Sequence, residues 1–190
     1  AVLHASKGVI AGEGEVYVAG GVESMTRAPF VMPKADEAFA RKAELFDTSL
    51  GWRMINPAMQ RLYPVEGLGE TAENVAERYG VSREDQDAWA LESHRKAAHA
   101  QDEGWFDDEI APIEVPRGRD EEPLRIGADE GVRRDTTLAK LAKLQPAFRK
   151  GGTVTAGNSS SLNDGACALL VTSLAKARAF DLRPLARVVS

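Results

Sequence analysis

GGTVTAGNSSSLNDGACALLVTS, residues 151–173, holds two short β-prone runs on either side of a loop of small polar residues. The runs are rich in Val, Thr and Leu and predict strands. The loop centre, GNSSS at 157–161, lets a ligand approach the backbone closely and offers hydroxyl and amide partners. Taken alone, an ordinary turn is the commoner meaning of such a loop. Ser173 then caps a predicted helix over LAKARAFD, 174–181. PLARVVS, 184–190, begins a further predicted strand.

The other end of the chain has the same character. Val2, Leu3, Ala5, Val9 and Ile10 follow roughly helical spacing, and Gly12 supplies a stop. Val16 to Ala19 is a continuous apolar run of the kind that strands covered on both faces show, which predicts a parallel sheet flanked by helices. Gly20-Gly21 ends that run where backbone turns sharply or meets a ligand.

The middle is different. Residues 30–70 are irregular: MPKADEAFARKAEL at 32–45 is weakly helical, and LGWRMINPAM at 50–59 reads as a packed loop. Thr71 caps a predicted helix over ETAENVAERY, stopped by Gly80. Ser82 with Asp85 fits a capping signature, opening a helix that carries Ala88, Leu91, Ala97 and Ala98 and ends near Gly104. Ile110, Ile113 and Val115 suggest a strand that Pro112 and Pro116 push to a sheet edge. Residues 117–136 read as a charged surface excursion. Thr136 or Thr137 caps a short helix bearing Leu138, Leu141 and Leu144, closed by Pro146. The fold class is therefore α/β at both ends, with a mostly helical insertion between them.

Composition narrows the function. The 190 residues are 43% hydrophobic and 28% charged, the balance of a soluble globular domain. No apolar run is long enough to span a bilayer, and the first residues do not form a signal peptide. The formal charge of −5 gives no general attraction to nucleic acid, although local cations still suit an anionic substrate. Cys167 is the one cysteine, so no intramolecular disulfide forms, and a reducing cytoplasm fits. The chain lacks an initiator Met and opens inside a predicted helix, which suggests a piece of a longer sequence.

Catalytic constellations are few. His94 and His99 are five apart on one predicted helix and do not share a face as a metal pair does; exposed helix histidines are the commoner case. His4 reads as a packed or solvated histidine. Cys167, within ACALLV, reads as a small buried hydrophobe. No phosphate-binding loop, dinucleotide fingerprint or HExxH is present. Arg133-Arg134 before a capped helix is either a phosphate or adenine site or a solvated surface pair.

Three stretches resemble one family. AGGVESMTRAPF (19–30) is similar to the thiolase segment that follows the nucleophilic cysteine, and GETAENVAERYGVSREDQDAWALESHRKA (69–97) to the helical pair of the thiolase loop domain. GTVTAGNSSSLNDGACALLV (152–171) resembles the GNASGxNDGA signature. They occur in the family's order and spacing, and the likeness covers essentially the whole chain. It implies a thiolase-like layered α/β fold: residues 1–29 and 153–183 from the N-terminal half, 30–152 as an inserted, mainly helical loop domain, and 184–190 as the start of the C-terminal half.

The resemblance also implies a chemistry. Thiolases make or break carbon–carbon bonds on coenzyme A thioesters through a cysteine acyl intermediate, a histidine that activates it, and a second cysteine that moves the α-proton. By the resemblance the nucleophile lies a few residues before Ala1, and the other two lie well beyond Ser190. No catalytic residue is expected in this chain, and the 190 residues alone are expected to be inactive. No cofactor and no metal is implied; coenzyme A is a substrate. The coenzyme A positions that match are Arg133 beside the adenine, Ser160, Ala156 and Phe148 along the pantetheine arm, and Leu68 closing over it. Phe148 and Leu68 read equally well as core packing. Ser161 replaces the usual Gly of the signature, and Gly67 stands where several members have histidine.

RAPFVMPKADEAF, GWRMINPAM and RRDTTLAKLAKL look more like the degradative acyltransferases of fatty-acid or aromatic breakdown, especially the 3-oxoadipyl-CoA type, than the biosynthetic acetyltransferases. Three functions stay open: a degradative acetyl-CoA C-acyltransferase, a biosynthetic acetyl-CoA acetyltransferase, and a non-catalytic protein that binds acyl-CoA. The resemblance implies a homo-oligomer, dimer or tetramer, while composition and charge predict a cytoplasmic protein with no nucleic-acid or membrane partner.

Overall fold

The computed structural model describes residues 1–189. In chain order its elements are α1 (Val2–Ala11), β1 (Val16–Glu23), a 3-10 turn (Met25–Arg27), β2 (Phe30–Val31), β3 (Phe46–Asp47), α2 (Pro57–Gln60), α3 (Leu68–Tyr79), α4 (Arg83–Asp102), β4 (Ile113–Val115), β5 (Leu124–Ile126), α5 (Leu138–Leu141), β6 (Gly165–Thr172) and α6 (Leu174–Ala179). They form two compact units, Ala1–Pro29 with Leu162–Ser190, and Phe30–Ser161.

In the first unit, β1 and β6 pair antiparallel in full register, from Val16 opposite Thr172 to Glu23 opposite Gly165. The expected parallel pairing is not found among the described residues. An apolar run reports that a strand wants cover, and says nothing about the direction of its neighbour. Nor does the strand end at Gly20-Gly21. It runs through both, because a Cβ at Gly20 would stand 2.5 Å from the Cys167 carbonyl oxygen and glycine permits that approach. The ribbon is clamped at one end: Asp164 accepts from the Thr26 hydroxyl (2.6 Å), the Thr26 N–H (2.9 Å) and the Ser24 hydroxyl (3.3 Å). Helix α1 ends at Gly12 in the left-handed conformation, as its spacing predicts. Ser173 caps α6 by accepting from the Lys176 N–H.

Two further expectations fail in this unit. Cys167 is exposed, not buried, because β6 has β1 beside it but little over its faces among the described residues. Residues 184–189 form no strand, since no neighbouring strand hydrogen-bonds to them; Ser190, the last of the predicted strand, lies outside the described residues.

The regular structure of the second unit is mainly helical, set among long irregular segments. Ser82 caps α4 by accepting from the Asp85 N–H at 3.1 Å while donating to its carboxylate at 2.7 Å. Thr137, not Thr136, caps α5. Helix α3 starts at Leu68, with Gly67 at its N-cap, so Thr71 does not cap it. Its hydroxyl donates back to the Gly67 carbonyl instead, at 3.4 Å. Residues 34–45 are exposed and irregular rather than helical; Phe39 sits at φ 62° and is 98% exposed. A weakly helical stretch with no packing partner does not repay helix nucleation. The charged excursion contains β5, which pairs antiparallel with β4 in an isolated ribbon, so β4 is a sheet edge as its prolines require. The first β-prone run of the 151–173 stretch is not a strand; one bridge, Pro146 to Thr155, replaces it.

Candidate functional site

All five residues matched to the coenzyme A site lie in the second unit. The segment from Phe148 to Val154 is laid along α3. Arg149 donates to Glu70 through Nε (2.9 Å) and Nη2 (2.7 Å), to Asn74 at 2.6 Å and to Glu77 at 3.3 Å. Beside it, the Phe148 ring lies over Gly69 so closely that a Cβ there would overlap it. This glycine admits an aromatic ring against the helix backbone, and it places Phe148 next to the residue that follows Leu68.

Further on, Glu73 holds the entry to the GNSSS loop. It is 3% exposed and accepts from the N–H of Thr153 (3.0 Å), the N–H of Val154 (2.8 Å) and the Thr153 hydroxyl (3.3 Å). Burial pushes its carboxyl up, but those donors together with Arg149 outweigh burial and hold it below the ordinary glutamate range. The Ala147 N–H donates to the Val154 carbonyl at 2.9 Å, so the strand-like pieces around 147 and 154 lie side by side. Ala156 follows directly after the Pro146–Thr155 bridge.

The loop itself is knotted by side chains. Thr155 is fully buried; its N–H donates to Asn158 Oδ1 at 2.7 Å, and its carbonyl accepts from the Ser159 hydroxyl at 2.7 Å. Asn158 Nδ2 donates to Asp87 on α4 at 3.0 Å. Gly157 lies against Leu141 and Leu144, where a Cβ would overlap both side chains. The result is a loop whose interior is fully bonded and whose rim, Ala156 and Ser160, is exposed.

The five residues are not one cluster. Leu68, 88% exposed, lines a cleft of about 360 Å³ with Gly51, Trp52, Arg53, Glu66 and Gly67. Phe148, half-exposed, packs on Gly69 and does not line that cleft, and Ala156 follows the Pro146–Thr155 bridge. Arg133 stands apart. Its N–H donates to His94 Nδ1 at 3.2 Å and its carbonyl accepts from the Thr136 hydroxyl at 2.8 Å, which ties its backbone to α4 and to the start of α5. Its guanidinium makes no ion pair or hydrogen bond among the described residues. Arg134, by contrast, is engaged with Asp102 and Gln101. The pair before the α5 cap thus divides into one arginine paired with α4 and one held by no side-chain hydrogen bond among the described residues, whose charge still acts on Asp135.

Two of the histidines have separate partners: His94 accepts from the Arg133 N–H, and His99 meets Trp105 edge-on with ring centres 5.4 Å apart. Among the described residues no group of His, Cys, Asp or Glu is arranged to hold a metal ion. Among them, too, no helix is long and apolar enough to cross a membrane.

Asn158 lies in the GNSSS loop that the sequence singles out, but Glu73 and Asp87, which hold that loop, and Gly69, which admits the Phe148 ring, belong to no expected site. A signal was present. Gly69, Glu73 and Ala76 fall on one helical face, and Arg83, Asp87 and Leu91 on another. A carboxylate on the buried stripe of a helix calls for a partner from elsewhere in the chain.

Residues 1–175 match the family model described as Thiolase, N-terminal domain. The chain is 48% identical over 186 residues to a protein of Escherichia coli named Beta-ketoadipyl-CoA thiolase, covering 98% of this chain and 46% of that one. The chain thus spans about half the length of the curated relatives it matches. Among solved structures, it is similar to the acetyl-CoA acetyltransferase of Bacillus anthracis, with a TM-score of 0.80 at 40% identity over 97% of this chain and 45% of that one. It is also similar to human mitochondrial 3-ketoacyl-CoA thiolase in complex with CoA, with a TM-score of 0.78 at 33% identity over 97% and 44%. With its α/β fold and its family-model match running from the first residue to 175, this chain belongs to the thiolase family.

Proposed function

We propose that the protein carrying this chain is a degradative thiolase, an acetyl-CoA C-acyltransferase, and that this chain supplies part of its coenzyme A site. The reaction takes a 3-oxoacyl-CoA and free coenzyme A. The bond between C2 and C3 breaks, C3 becomes the thioester carbonyl of a shortened acyl-CoA, and C2 gains a proton as the methyl of acetyl-CoA. The nucleophile and proton-moving groups belong to positions outside these 190 residues. Here Ser160 and Ala156 carry the pantetheine arm, Phe148 and Leu68 flank it, and Arg133 takes the adenine end, where a planar guanidinium suits stacking. The observation that carries the degradative reading is the 48% identity to a relative named for β-ketoadipyl-CoA. The same reading makes the protein a cytoplasmic homo-oligomer.

Two variants of the full-length protein test the site. Arg133→Ala is expected to weaken coenzyme A binding by about 1–2 kcal/mol, the value of a desolvated cation on a ring, and to leave a pantetheine thioester unaffected. Ser160→Ala is expected to weaken both ligands by about 1 kcal/mol, the value of one neutral hydrogen bond. Calorimetric dissociation constants decide it: an equal effect of Arg133→Ala on both ligands removes the adenine assignment. Turnover of 3-oxoadipyl-CoA well above that of acetoacetyl-CoA is the expected kinetic result, and the reverse order favours the biosynthetic acetyltransferase.

A further inference from the structure

One ion pair on α4 holds two separate segments of the proposed site. Arg83 Nε donates to Asp87 Oδ2 at 2.9 Å, with side chains 20% and 5% exposed. Exposed i,i+4 pairs of this kind contribute little. This one is largely shielded, and each partner reaches beyond the other. Arg83 Nη2 donates to the carbonyls of Leu141 (2.6 Å) and Leu144 (3.0 Å), which hold the end of α5. Asp87 Oδ1 accepts from Asn158 Nδ2 at 3.0 Å. Asn158 in turn accepts from the Thr155 N–H and donates to the Thr153 carbonyl at 3.2 Å, so it fixes the curvature of the loop that presents Ala156 and Ser160. The other arm stops four residues short of Phe148.

Charge-assisted bonds in a shielded place are both strong and directional. Removing one partner leaves the others with polar groups they cannot satisfy. The geometry points to Asp87 as a positioning residue that, through Asn158 and with Arg83, sets Ser160 and Ala156 in register with Phe148 for the pantetheine arm. It touches no substrate atom itself. This inference rests on the coenzyme A reading given above.

The test is a double-mutant cycle in the full-length protein, reading KM for coenzyme A, kcat and thermal midpoint. Asn158→Ala is expected to raise KM about tenfold with kcat within about twofold, the pattern of lost uniform binding. In a Ser160→Ala background the same change is expected to raise KM by less than about threefold, because the contact that the loop delivers is already gone. Asp87→Asn keeps an oxygen for Asn158 and is the milder variant; it carries the same cycle if Asn158→Ala does not fold. A lowered thermal midpoint with unchanged KM in these variants overturns the proposal and leaves the pair as a stabiliser only. Effects of Asn158 and Ser160 that simply multiply also overturn it. If Ser160→Ala alone leaves KM unchanged, the coenzyme A reading fails, and this inference falls with it.

Discussion

Residues 153–160 and 165–172 are neighbouring stretches of one small-residue motif, and they are held in opposite ways. The first has almost no regular secondary structure, yet Thr155 and Val154 are among the most buried residues described. Its order comes from side chains: Glu73 and Asp87, two carboxylates on helix faces, take its N–H groups and the Asn158 amide. The second is a regular strand with a complete backbone ladder to β1, yet Leu169 and Leu170 are 50% and 55% exposed, and Val18 and Val22 opposite are 76% and 79% exposed. Regularity and burial are therefore separate properties. A loop is buried where charged side chains satisfy its backbone. A strand satisfies its backbone by pairing alone, whether or not its faces are covered.

The sharpest way to break this contrast is to remove the charge from under the loop. Glu73→Ala strands the N–H groups of Thr153 and Val154 and is expected to destabilise the full-length protein by about 3 kcal/mol. Urea unfolding measures it; a loss under about 1 kcal/mol would mean that the loop needs no carboxylate anchor.

The ribbon is tested through its backbone instead. Gly20→Ala drives a methyl into the Cys167 carbonyl and is expected to cost about 2 kcal/mol, the range of an overpacked site. Gly21→Ala, with no atom within 4 Å of the added carbon, is expected to stay within about 0.5 kcal/mol. Equal effects at the two positions would contradict the close approach of β1 and β6.

The smallest effect belongs to the clamp at the ribbon's end. The hydroxyl and then the N–H of Thr26, with Ser24, hold the Asp164 carboxyl below the ordinary aspartate range. A depressed folded pKa contributes stability that is fully present above the unfolded value, near 3.9, and is lost as pH falls through the folded one. Asp164→Asn is therefore expected to lower the urea midpoint slightly at pH 7, with the gap to wild type closing as pH falls below about 4. A gap independent of pH would show that the charge of Asp164 is immaterial.

Helix ends were readable from local chemistry. Gly12, Gly80 and Gly104 adopt the left-handed conformation, and Ser82, Thr137 and Ser173 cap helices. Capping depends on atoms within four residues of one another, so local sequence suffices. The start of α3 lies at Leu68, ahead of the Thr71 that local sequence points to, for the complementary reason. Gly67 offers no side-chain cap, and Phe148, from far along the chain, packs on the first turn. The helix expected at 32–45 had propensity but no partner.

By itself, the sequence determined the α/β class, the order of most elements, the family and the position of a small-residue loop in a motif of that family. Each of these is written in periodicity, capping or motif spacing, which short-range chemistry dictates. Only the tertiary structure decided that β1 runs antiparallel to β6, that Cys167 is exposed, and that Glu73 and Asp87 turn GNSSS from a turn into an anchored loop. It also separated Arg134, bound to Asp102, from its neighbour Arg133. These depend on pairs 32 to 157 residues apart, such as Arg134 with Asp102 and Thr172 with Glu15. Such pairs are set by three-dimensional packing, and a local reading of the chain does not reach them.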